Sequence, residues 1–108
     1  MKNILALAIL TAASLPMAAR AAHLDGNSLL AKCGGADAKL CEVYLDGFAA
    51  ALTEIPLDAR PACLPDSVNS VQLKDVLLKF LHNGPEHRDR PAATLIAHAF
   101  SKAWPCHR

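Results

Sequence analysis

The most regular stretch of the chain is "NSVQLKDVLLKFLHNG", residues 69–84, where Leu73, Val76, Leu77, Phe80 and Leu81 recur at i, i+3, i+4, i+7 and i+8. That spacing predicts a helix with one apolar face. Asn69 and Gln72 stand at capping-box spacing before it, and Asn83-Gly84-Pro85 stops it. Pro91 takes the first position of a last helix whose inner face draws on Ala92, Leu95, Ile96, Ala99, Phe100 and Ala103. Trp104 lies one turn beyond Phe100 and reads as packing rather than as a ligand platform. Nearer the start, "NSLLAKCG" predicts a short helix with Asn27 or Ser28 as N-cap and Gly34 as stop. "DAKLCEVYLDGFAAAL" follows, with Leu40, Tyr44, Phe48 and Ala51 on one stripe and Cys41, Leu45 and Leu52 beside it. Gly47 within this helix costs about 1 kcal/mol relative to Ala; it marks either a close crossing with another helix or a merely tolerated glycine. Residues 53–68 carry Pro56, Pro61 and Pro65 and no sustained period. Nothing alternates with period two, so the fold class is all-α: a small four-helix domain with one long irregular loop.

The first residues follow different rules. Met1-Lys2-Asn3 is a short cationic start, "ILALAILTAASL" is an apolar run, and Ala19-Arg20-Ala21 places small residues three and one before a cut. Residues 1–21 therefore read as a signal peptide cleaved near Ala21. A membrane anchor is the alternative, but the apolar run falls short of the roughly 20 residues a bilayer needs. The expected product is a single domain over residues 22–108, with no membrane association once the leader is removed. Of eleven Lys and Arg, Lys2 and Arg20 lie in the leader, so what remains nearly balances the ten Asp and Glu. Without a basic patch, neither nucleic acid nor an anionic membrane is an expected partner.

A domain of this size has a core of marginal stability, and covalent staples would support it. The four cysteines, Cys33, Cys41, Cys63 and Cys106, all follow the leader. An even number in a small exported chain reads as a disulfide framework. Zinc is the rival, given five histidines, yet neither Cys-x-x-Cys nor His pairs at metal-ligand spacing accompany them. Gly34 and Gly35 let the chain fold back between Cys33 and Cys41; Cys63 with Cys106 follows by elimination. In the chain-entropy model the two closures stabilise by about 2.5 and about 4 kcal/mol. The second clasps a terminus that would otherwise fray.

Catalytic chemistry is hard to find. With the cysteines paired there is no thiolate nucleophile. Ser28, Ser67, Ser70 and Ser101 lack a nucleophile-elbow context, and Asp25 with Asp37 or Glu86 with Asp89 are ordinary surface carboxylates. No enzyme signature, cofactor site or metal site is expected. The stretch "LHNGPEHRDR", residues 81–90, is the exception to a bland surface, crowding His82, Asn83, Glu86, His87 and Arg88 into a helix–helix corner. Such a corner can present polar groups rigidly to a partner, and a solvated turn is the alternative. Asp58 and Arg60 on the long loop are the competing recognition residues.

Cys33, Cys41 followed by Tyr44 and Gly47, Cys63-Leu64-Pro65, Gln72-Leu73, Lys79-Phe80-Leu81, Pro85-Glu86, Arg88, Pro91-Ala92 and Ala103-Trp104-Pro105-Cys106 together resemble the Rap/Tai immunity proteins. Val43 and Asn83-Gly84 depart from that pattern, where the family tends to have glycine and histidine. The resemblance implies a periplasmic, homodimeric inhibitor of a peptidoglycan amidase toxin delivered by type VI secretion, acting by occluding the toxin's active site. An alternative of another class is a general periplasmic binding or acid-stress chaperone module without a toxin partner, with which five histidines and a small helical fold are compatible.

Overall fold

A computed structural model describes residues 24–107. The leader expected over residues 1–21 lies outside the described residues. Four α-helices follow in order: α1 (Gly26–Cys33), α2 (Ala38–Leu52), α3 (Ser70–Asn83) and α4 (Ala92–Ala103), with 3-10 turns at Leu57–Ala59 and Pro85–His87. Among the described residues there is no strand, only an isolated antiparallel bridge between Asp25 and Pro91. None of the described helices is long and apolar enough to cross a membrane.

The capping box of α3 forms as its spacing predicts. Asn69 Oδ1 accepts from the Gln72 amide and Gln72 Oε1 accepts from the Asn69 amide, both at 2.9 Å. Leu73, Leu77 and Leu81 are buried, with Val76 and Phe80 packed at the margin of the core. Helix α4 buries Ala92, Leu95, Ile96, Ala99 and Phe100. Ala103, expected on this inner face, is exposed in the last turn. Phe100 is central: its ring meets Phe48 at 6.0 Å and Trp104 at 5.7 Å, both edge-on, so Trp104 packs against the core as read from the sequence.

Two further details differ from the sequence reading. Asp25, rather than Asn27 or Ser28, caps α1: its carboxylate accepts from the Ser28 amide at 2.9 Å. In α2 the buried face is Cys41, Leu45 and Leu52 with Phe48 at its edge, while Leu40, Tyr44 and Ala51 face outward. The helix is apolar nearly all round, so spacing alone does not choose which stripe faces the core; packing against α3 does.

Both staples form as expected, Cys33 to Cys41 across the α1–α2 joint and Cys63 to Cys106 between the long loop and the C-terminal segment. The Cys63 amide also donates to the Trp104 carbonyl at 2.9 Å, and Ala62 beside it is fully buried. Glu42 is nearly buried and spans two helices: it accepts from Lys74 Nζ on α3 at 2.6 Å and from Lys39 Nζ at 3.4 Å. The hydrogen bond from Lys74 is the main cause holding the Glu42 carboxyl below the ordinary glutamate range.

Candidate functional site

The corner between α3 and α4 is built in short steps. Gly84 ends α3 and Pro85 opens the 3-10 turn; the His87 amide then donates to the Gly84 carbonyl at 3.1 Å, and the Arg90 amide to the His87 carbonyl at 3.1 Å. Successive local bonds of this kind leave the backbone little freedom. Arg88 folds back beneath the turn, its Nε donating to the Leu81 carbonyl at 2.8 Å, which satisfies one of the carbonyls a helix end leaves without a partner.

The start of α1 clamps the corner from the other side. The Asn27 amide donates to the Arg88 carbonyl at 3.1 Å, the Gly26 amide to the Arg90 carbonyl at 3.2 Å, and the Ala92 amide to the Leu24 carbonyl at 2.8 Å. Gly26 fits there because it has no side chain. A Cβ at this position would come within 2.6 Å of Leu95 Cδ1 and 2.8 Å of the Arg88 carbonyl oxygen. Asp25, which caps the same helix, has its carboxyl held below the ordinary range chiefly by the Ser28 amide.

The five residues singled out in the sequence come together here with different surroundings. His82, Asn83 and Glu86 are exposed, whereas His87 and Arg88 are half-buried. His87 Nε2 lies 3.5 Å from Glu86 Oε2, an ion pair whenever the imidazole is protonated. Arg88 spends its Nε on the scaffold. Beside them, Asn83 also lines a cleft of about 200 Å³ between α3 and α4, with Val76 and Phe80 in its lining and Lys79 and Lys102 at hand. Gly26 is a supporting residue that sequence reading passed over, and Asn27 was read there only as a candidate cap of α1. Neither residue pointed to the corner, because the partners of both lie at the far end of the chain.

On the competing long loop, Asp58 is exposed, but Arg60 turns inward, with Nε and Nη2 donating to the Ile55 carbonyl at 3.1 and 2.8 Å. Among the described residues no group of three or more His, Cys, Asp or Glu could hold a metal ion, and no cysteine is free. Among the described residues, a stapled helical scaffold thus holds out a polar corner that is clamped from both sides.

The class of protein comes from the family comparison. The model of the Rap1a immunity proteins matches residues 25–106, nearly all of the described chain, and the protein belongs to this family. No curated protein and no solved structure matches it.

Proposed function

We propose that the protein is a periplasmic immunity protein that neutralises a peptidoglycan amidase toxin of type VI secretion by seating the α3–α4 corner in the toxin's active-site cleft. Membership of an immunity family supports a binding role without turnover, and the two disulfides fit an exported product. The observation that carries the choice of surface is the clamp of Gly26 and Asn27 on Arg88 and Arg90. A turn held on both sides loses little entropy when it docks, so contacts by His82, Asn83, Glu86 and His87 count more fully toward affinity. Arg88 holds the turn up from below. The half-buried Arg60 makes the long loop the weaker competitor. The resemblance to the Rap/Tai proteins also favours a homodimer, which would display two such corners.

The test is capture of a partner from periplasm with the purified exported protein as bait, read by mass spectrometry. Recovery of a cell-wall amidase whose hydrolysis of peptidoglycan then falls stoichiometrically on adding the protein is the expected result. Capture of unrelated unfolded proteins, increasing at low pH, would replace this reading with the chaperone alternative.

A further inference from the structure

The two disulfides sit in different surroundings. Cys33 and Cys41 are 1 and 5 % exposed and belong to the same buried core as Leu29, Leu45 and Leu73. Cys63 and Cys106 are only half-buried, and Cys106 forms part of the wall of two surface clefts. One cleft, of about 410 Å³, is lined by Leu57, Asp58 and His107; the other, of about 390 Å³, by Pro61, Ala97, His98, Ser101 and Pro105. Each has room for a small molecule, and Cys63 is in the wall of neither. The two sulfurs also differ in how their backbone is held. The Cys63 amide donates to the Trp104 carbonyl at 2.9 Å, and Ala62 beside it is buried. Beyond Trp104, no backbone hydrogen bond among the described residues holds residues 105–107.

We propose that the Cys63–Cys106 bridge is a site of thiol–disulfide exchange with small thiolates, and that Cys106 is the sulfur attacked. Exchange requires a thiolate to reach a disulfide sulfur, and the core denies that access at Cys33 and Cys41. The attacking sulfur bonds to Cys106 Sγ as the bond from Cys106 Sγ to Cys63 Sγ breaks. Cys63 leaves as a thiolate and takes up the proton that the attacking thiol gave up. A second thiolate then attacks the outer sulfur of the adduct and releases Cys106, which is protonated in turn. The bridge has gained two electrons, and two small thiols have become one external disulfide. The segment around Cys106 lacks backbone ties and can carry an adduct outward, whereas Cys63 stays anchored beside Trp104. Charge selects the side of approach. Asp58 in the first cleft opposes an anionic thiolate, while the second cleft is lined by no carboxylate and presents His98. The α3–α4 corner lies at the other end of α4 and is clamped by α1, so exchange and recognition use separate surfaces.

The test is to incubate the oxidised exported protein with reduced glutathione, trap free thiols by alkylation at successive early times, and map the peptides by mass spectrometry. In native buffer the Cys63–Cys106 bridge should open at least about tenfold faster than Cys33–Cys41, with glutathione on Cys106 and a free thiol on Cys63. In urea the two bridges should react at similar rates, because the fold alone shelters the first. His98→Glu, an exposed substitution that places a negative charge in the second cleft, should slow the native reaction several-fold. Equal native rates, faster opening of Cys33–Cys41, or a rate difference that persists in urea would each overturn the proposal. Glutathione on Cys63 would overturn the choice of sulfur, and an unchanged rate in His98→Glu would overturn the side of approach.

Discussion

At the scale of single residues, two glycines predict opposite responses to the same substitution. A methyl group on Gly26 would press on Leu95 and on the Arg88 backbone, so Gly26→Ala should lower stability by about 1–3 kcal/mol, as overpacking does. Gly47→Ala should raise it by about 1 kcal/mol, because its Cβ meets nothing and the helix gains propensity. Thermal unfolding checks both; equal signs would mean that one of these environments is misjudged. Only the second glycine drew attention in the sequence, since it interrupts a helical period. Gly26 gave no such signal because the atoms it must avoid belong to residues 88 and 95. The cap of α1 was obscured for a related reason. Asp25, Asn27 and Ser28 can all cap, and the hydrogen bonds from Gly26 and Asn27 to the corner decide where the helix begins.

At the scale of elements, α3 and α4 were legible because polar residues on their outer faces leave one apolar stripe. Helix α2 was legible as a helix but its buried face was not, because Leu40, Val43 and Tyr44 make its outer face as apolar as its inner one. The cap of α3 is open to direct test: Asn69→Ala should cost about 1 kcal/mol in denaturant unfolding, whereas a neutral result would mean the reciprocal bonds do not persist in solution. The Glu42–Lys74 pair ties α2 to α3 and carries a pH signature. The folded-state pKa values of Glu42 and Asp25 are depressed, so their stabilisation is fully present above the ordinary carboxylate range and is lost as pH falls through the folded values. The melting temperature should therefore drop below about pH 5, and Glu42→Gln should lower it at neutral pH while flattening the acid limb. An acid limb unchanged by Glu42→Gln would remove this pair from the explanation. That pair had no sequence signal, since a Glu and a Lys on separate helices become partners only through packing.

At the scale of the whole molecule, the staples divide the work. The Cys63–Cys106 bridge closes 43 residues and the Cys33–Cys41 bridge 8, so losing the first should cost about 4 kcal/mol and the second about 2.5 kcal/mol in the chain-entropy model. Paired Cys→Ala variants compared by denaturant unfolding check that order; the reverse order would show that strain or local packing outweighs loop closure. The pairing itself was legible, because two glycines favour the short loop and leave only one other pair. The scaffold of the corner was not, because its support comes from α1, the element farthest from it in the chain. That support is what lets three exposed side chains, His82, Asn83 and Glu86, be removed without disturbing the fold, whereas removing Arg88 would also uncap α3. The most direct measurement is inhibition of peptidoglycan hydrolysis by the captured amidase, comparing the wild-type protein with the His82→Ala, Asn83→Ala, Glu86→Ala variant at matched melting temperature. Stoichiometric inhibition by the wild type and an affinity at least about a hundredfold weaker in the variant, the scale of hot-spot truncation, is the predicted result. Equal inhibition by the two proteins would contradict the assignment of recognition to the α3–α4 corner.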